Sequence, residues 1–440
     1  MGFKLRPGTS VFGNVTFTPG TNENYVAPPE PPIPLSTNPL FLLSQYDDTP
    51  ENGPINDGSV YIYDLDDLTQ EPIIKVSSTE GGQYGSSAYR SSKYLFIGSR
   101  GVDSETVSSQ GVVYVYDVND LNQLVTTLSP SNPTEYMQFG LSLSGDEDSL
   151  LVSCWSGGIA YLYDMNDLSA DPIEISEPVD GFSFGRTALV LPNHIVLSEL
   201  GYSHNLDSAN YLYSGAMWVY DRNDLSSPPT LVEQPEGPFK YSQFAKSLDL
   251  SVDGSKFVVG CAGVGNIYVY DSNNPLNPPL YEFILSAELK NRYYAEPNEA
   301  QYSSVQNALN DTHFVTGFHL FDGQDVNGDY LTAGRVYIWP HDDPSATPTT
   351  LSGFDLGITR DSLGTPAWNP EFGNAVKVVG DKLIASSNEG TPEIPDRPGT
   401  VRVFDINNLS SPLKTITQPY SEYVPHDLFG VSLYAPGPLD

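Results

Sequence analysis

Basic residues are scarce in this chain: 20 lysines and arginines stand against 55 aspartates and glutamates, for a formal net charge of −35 and a pI near 4.2. A surface of that sign repels polyanions, so nucleic acid and anionic lipid are not expected partners. The acidity reads as solubility in a salty medium, where a Debye length of about 8 Å or less screens self-repulsion. Cysteine is rarer still. Cys154 and Cys261 each follow an apolar run, too few for a disulfide framework and without the CxxC or His/Cys spacing of zinc sites; buried free thiols are expected. No apolar run approaches the roughly 18 residues that suggest a membrane-spanning helix. The N-terminal MGFKLRPGTSVFGNV has no continuous apolar stretch of the kind a signal peptide carries, and Arg6 stands where a myristoylation signal needs Ser or Thr. No membrane insertion and no secretion address are expected.

Catalytic signatures are missing too. The six histidines, His194, His204, His313, His319, His341 and His426, show no HExxH spacing, and neither GxSxG nor a phosphate-binding loop occurs. No nucleophile with its base can be named, so the expectation is a protein that is not an enzyme.

What the chain does have is a repeat. A glycine is followed six residues later by an aspartate, with aromatic and aliphatic residues alternating between: GSVYIYD (58–64), GVVYVYD (111–117), GIAYLYD (158–164), GAMWVYD (215–221), GNIYVYD (265–271), GTVRVFD (399–405), and the variant GRVYIWP (334–340). Some 19 to 32 residues ahead of six of these glycines, and once more near the C-terminus, sits an aromatic-small pair: Tyr84-Gly85, Phe139-Gly140, Phe184-Gly185, Phe244-Ala245, Phe372-Gly373 and Phe429-Gly430, with Tyr302-Ser303 as a degenerate copy. An apolar run lies between the two elements, and a polar turn with a short extended stretch follows the aspartate. Four strands per unit result. A four-stranded unit cannot bury its own apolar faces, so units of this kind stack into a ring. The expected fold is all-β, a seven-bladed β-propeller.

The two ends are complementary. The Phe429-Gly430 strand has no later strands after it, while the first unit has Leu40–Leu43 and the Gly58 strand but no aromatic-glycine strand before them. The C-terminal strand is therefore expected to close the first blade from the inside, because an open ring would expose an edge and an apolar face. The propeller is placed at 36–440, preceded by an extended, Pro-rich N-terminal arm at 1–35. The arm carries Lys4 and Arg6 and the apolar Phe3, Val11, Phe12, Val15 and Phe17 before a stiff proline run. Its basic start, Lys4 and Arg6, is opposite in charge to the ring, and its alternating apolar residues suit an added strand on a neighbour's edge; these seven residues are the expected partner-binding residues of the arm.

The tails after the repeated aspartate, such as Asp117-VNDL, Asp164-MNDL and Asp221-RNDL, read as turns held by side-chain oxygens on backbone N–H groups. Two long insertions interrupt the fourth and sixth units. Tyr202, Tyr211, Tyr213, Phe318, Phe321 and Tyr330 in them are candidate contact residues, since tyrosine-rich loops freeze few rotors on binding.

The aromatic-glycine strands resemble the FG-GAP repeat, the blade unit of integrin α-subunit heads; the stretch from Phe139 to Asp164 is the best copy. The resemblance implies Ca²⁺-binding turns between the first two strands, but the turns here, GDEDS at 145–149, LSVDGS at 250–255 and NDTH at 310–313, offer too few oxygen ligands. The ligand-dense stretch is Asp322, Asp325, Asn327 and Asp329, read as a solvated turn with a Ca²⁺ site as the alternative. No other cofactor is implied. The tandem Tyr-Asp-x-Asn-Asp-Leu units are also similar to repeat propellers encoded by marine tailed bacteriophages and marine bacteria, where they occur among virion structural proteins. That resemblance implies a structural or attachment component of a virus particle, a displayed tail, fibre or capsid-decoration protein. Its arm would bind other virion proteins, and its loops a host-surface protein or glycan. The alternative is a surface or secreted adhesion propeller of a marine bacterium.

Overall fold

The computed structural model describes residues 31–44, 58–76, 82–178, 183–206, 209–211, 213–237, 242–263, 265–283, 305–318, 322–324, 330–332, 334–353, 355–356, 372–387, 399–417 and 432–436. Among the described residues the regular secondary structure is all strand, in seven four-stranded antiparallel sheets and two small ribbons. We call the strands of each blade a to d from the inside outward. Blade 1 is assembled from both ends of the chain: a is Ser432–Tyr434, b is Pro39–Ser44, c is Ser59–Asp64 and d is Ile73–Val76. Phe41 pairs with Tyr434 and Leu42 with Leu433, so the ring closes as the terminal strands predict.

Each glycine-to-aspartate repeat is a strand c, and its alternation has a direction. In blade 1 Tyr61 and Tyr63 pack into the junction with blade 7, while Val60 and Ile62 pack into the junction with blade 2. In blade 3 Tyr161 and Tyr163 face blade 2, while Ala160 and Leu162 face blade 4. Blade 5 repeats this with Tyr268 and Tyr270 behind, Ile267 and Val269 ahead. Period-2 side-chain geometry sends alternate residues to opposite faces. Here both faces are buried, so the pattern is aromatic-back, aliphatic-forward rather than apolar-in, polar-out. Seven apolar clusters result, one at each junction between blades.

The two motifs found in the sequence prove to be halves of one contact. Gly111 opens strand c of blade 2 at φ +81°, and a Cβ there would lie 2.2 Å from the carbonyl oxygen of Phe139, in the aromatic-glycine pair of blade 3. The Phe139 N–H donates to the Gln110 carbonyl at 2.8 Å, and Phe244 N–H to Ser214 at 2.8 Å, so backbone is riveted to backbone across the junction. Only glycine allows both the left-handed turn and this approach. Phe139 itself is fully buried, edge-on to Tyr161 with centroids 5.4 Å apart.

The polar tails are turns, as expected. Asp117, Asp164, Asp221, Asp271 and Asp405 each accept a hydrogen bond from the backbone N–H two residues on, at 2.8–2.9 Å. All these c–d turns lie on one face of the ring, the turn face. The connections between strands b and c, including the ribbon His204–Leu206 with Ala209–Tyr211 and the ribbon Asp322–Gln324 with Tyr330–Thr332, lie on the other, the insertion face.

The propeller unit begins at Ile33, three residues before the boundary expected at 36. Leu121 N–H donates to Ile33 O and Leu35 N–H to Val118 O, each at 2.8 Å, tying the chain to the c–d turn of blade 2. Both cysteines are buried and neither is in a disulfide, and burial pushes the Cys154 thiol well up.

Candidate functional site

The inner strands of the blades surround a channel of about 870 Å³. Ladder register identifies equivalent positions around it: Tyr434, Tyr89, Ser144, Leu189, Asp249, Ala308 and Lys377, in blades 1 to 7, each pair with the third residue of their strand b. One rung therefore carries seven side chains of which no two neighbours share a chemistry except the two tyrosines. Lys377 and Asp249 form an ion pair from blade 7 to blade 5, reaching over the small Ala308 of the blade between. Their side chains retain only 19% and 20% exposure. Burial raises the Asp249 carboxyl above its ordinary value, outweighing the lowering by Lys377.

On the same rung the Tyr434 ring packs against Phe41 and Tyr89, with centroids 5.5 and 6.5 Å away, and its oxygen accepts the Arg90 backbone N–H at 3.0 Å. The Tyr89 hydroxyl donates to the Asp146 carbonyl at 3.1 Å. Burial holds both phenols well above their usual range. Toward the turn face, the Arg90 guanidinium donates to Thr37 O at 3.3 Å, and the Glu147 carboxylate accepts the Ser92 backbone N–H at 3.0 Å.

At the insertion-face end, Arg186 and Lys246 occupy the positions directly after the aromatic-small pairs of blades 4 and 5. The Arg186 guanidinium lies over the Trp155 ring, 4.8 Å from its centroid. Lys246 donates to Gln243 Oε1 at 3.3 Å. Burial, and then the Arg186 charge, lower its ammonium to about 8.

The contact residues expected from the insertions separate. Tyr202 is half-buried, edge-on to Trp218 with centroids 6.3 Å apart, and Tyr213 is exposed. Phe318 is a correction: at 2% exposure it belongs to the apolar junction of blades 5 and 6, because strand b of blade 6, His313–Phe318, runs through it. It cannot offer a contact surface. Tyr211 and Tyr330 lie in ribbon strands Ala209–Tyr211 and Tyr330–Thr332, and Asp322 in Asp322–Gln324, with side chains outside the described residues. Phe321, Asp325, Asn327 and Asp329 fall outside them, as do Phe3, Lys4, Arg6, Val11, Phe12, Val15 and Phe17 of the arm. Among the described residues no three acidic, His or Cys side chains converge as metal ligands.

Sequence reading missed Arg186, Lys246, Asp249 and Lys377. The signal was present for two of them: in a chain poor in basic residues, consecutive blades place one immediately after the repeat's aromatic-small pair. Nothing local announces the Asp249–Lys377 pair, whose members are 128 positions apart.

No protein-family model matches the chain, and no curated protein matches it in sequence. Solved structures do. A putative 6-phosphogluconolactonase from Bacteroides fragilis aligns at 11% identity over 91% of this chain and 98% of its own, with a TM-score of 0.52. The Cps50 (Swd1) β-propeller domain of Myceliophteria thermophila aligns at 12% identity over 77% of this chain and 93% of its own, TM-score 0.43. Kuenenia stuttgartiensis hydrazine synthase aligns at 10% identity over 73% and 76%, TM-score 0.44. At 11% identity the likeness to the Bacteroides protein is one of fold alone, in keeping with the seven four-stranded sheets that make this chain a seven-bladed β-propeller.

Proposed function

We propose that this chain is a non-enzymatic structural and attachment protein of a virus particle, held by its N-terminal arm and presenting the insertion face of the propeller outward. The observation that carries the reading is the polarity of the ring. Ile33 and Leu35, where the propeller begins, are tied to the c–d turn of blade 2 on the turn face, whereas both inserted ribbons stand on the opposite face. A body anchored through its N-terminal segment at the turn face keeps its insertions clear of the anchor. The virion assignment rests on the resemblance of the repeat to phage-encoded propellers. Mass spectrometry of purified particles tests it, with a chain lacking residues 1–26 as comparison. The full chain is expected in the particle and the shortened chain absent from it while melting at the same temperature. Incorporation of the shortened chain at normal copy number overturns the anchoring role of the arm. Recovery of the full chain from bacterial surfaces instead of particles overturns the virion reading in favour of an adhesion propeller.

A further inference from the structure

We propose that the channel is a binding site for a neutral polyhydroxylated molecule of the saccharide class, held through vicinal hydroxyls by the Asp249–Lys377 pair. Both side chains line the channel, and at 20% and 19% exposure water reaches them there. The pair uses little of its own capacity. An ammonium has three N–H donors and a carboxylate about four acceptor positions. The Lys377–Asp249 bond takes one of each, and the Leu250 backbone N–H takes one further acceptor position.

The chemistry of the pair selects the ligand. Its two charges satisfy one another, so it has no surplus for an ion to neutralise, and an ion could bind only by breaking it and stranding one half-buried member. A hydroxyl leaves the pair intact, because it both donates and accepts. Two vicinal hydroxyls stand about as far apart as two hydrogen-bonded atoms, so one can accept from Lys377 Nζ while its neighbour donates to the Asp249 carboxylate. Nor does the fold ask for ions at this rung, where the other blades carry Tyr434, Tyr89, Ser144, Leu189 and Ala308. Replacing such a pair by apolar residues is often neutral for stability, so stability alone does not account for it.

The walls around the pair fit the same ligand. Tyr434 stands on the same void: burial is the first cause of its raised phenol, and the Asp249 charge adds to it from across the ring. Its oxygen accepts the Arg90 backbone N–H, which leaves its own proton to donate. Two residues back along the inner strands, toward the insertion face, Ser87, Ser142, Thr187, Gln306 and Ser432 line the channel, all neutral hydrogen-bonding groups. Ser87 and Thr187 donate to the Gly140 and Ala245 carbonyls of the next blade at 2.8 and 3.2 Å, so their oxygens face a ligand as fixed acceptors. The channel's volume of about 870 Å³ is within the range of small-molecule sites.

Saturation-transfer NMR titration of the full chain with D-glucose, D-galactose, D-mannose and myo-inositol, and separately with glycine and inorganic phosphate, tests the proposal. Saturable binding of at least one polyol is expected, with an affinity that added salt leaves unchanged. Binding should weaken at least tenfold in the double variant Lys377→Met with Asp249→Leu and severalfold in Gln306→Leu, and be unchanged in Lys93→Gln, an exposed residue of blade 2. Thermal midpoints establish that each variant is folded; should the double variant fail to fold, Gln306→Leu and Tyr434→Phe carry the test. Absence of saturation by every polyol up to about 50 mM, polyol binding that the folded variants retain in full, or binding of glycine or phosphate in place of the polyols overturns the proposal.

Discussion

Strands c and strands a of the same seven blades follow opposite rules. Along the c strands, aromatic residues face the preceding blade and aliphatic ones the next, blade after blade. Along the a strands, one rung holds Tyr434, Tyr89, Ser144, Leu189, Asp249, Ala308 and Lys377. The c strands meet the same environment in every blade, so the same residues solve the same packing problem. The a strands meet in a channel wide enough that no single side chain is dictated, which leaves them available for binding. Repetition marks the shell of this molecule, and departure from repetition marks its candidate site.

The largest effect should come from breaking the repeated shell. Phe139→Ala removes a fully buried ring from the junction of blades 2 and 3 and should cost about 3–5 kcal/mol in denaturant unfolding. Arg186→Gln in the channel should change stability by about 0.5 kcal/mol or less. Equal losses would erase the distinction between shell and channel.

Within the channel, Lys377→Met strands the Asp249 carboxylate. Because water still reaches both side chains, the loss should be about 2 kcal/mol rather than the larger figure for a sealed pair, and most of it should return in the double variant with Asp249→Leu. In the single variant the folded Asp249 carboxyl titrates above its unfolded value, so the folded state holds more protons and stability falls as pH rises from 4 to 7. A pH-independent loss in the single variant would mean that the carboxylate is not the cause.

A turn aspartate should matter less. Asp117→Ala deletes one acceptor for the Asn119 N–H and should cost about 1 kcal/mol, read as a small drop in thermal midpoint. The smallest effect concerns Lys246. Its ammonium titrates near 8 when folded and higher when unfolded, so between about pH 8 and 10 the unfolded chain holds more protons and this group makes stability rise with pH. Unfolding exposes the Cys154 thiol and acts in the opposite sense, so the measurement is the difference between wild type and Lys246→Met. That difference should narrow as pH rises through the window; a constant difference would place Lys246 in ordinary solvent.

The fold was legible because its determinants are local and repeated. The GxxxxxD strand occurs six times and once as the variant GRVYIWP, the aromatic-small pair seven times with glycine in five, and the unmatched strands at the two ends imply their own pairing. The site was not legible to the same degree. Phe318 reads as the first residue of a loop, since nothing nearby shows that strand b of blade 6 runs on to include it.

Local residue order alone therefore determined the number of blades, the four strands of each, the closure through Ser432–Tyr434 and the Asp-held turns, all of them set by period-2 patterning and short-range hydrogen bonds. Tertiary structure alone decided that Gly111 rests on the Phe139 backbone, that tyrosines look back and aliphatics forward, and that Asp249 finds Lys377 across the channel. The reason is geometric. Which residues meet at the centre of a ring depends on the rotation from blade to blade, a quantity that exists only once all seven junctions have closed.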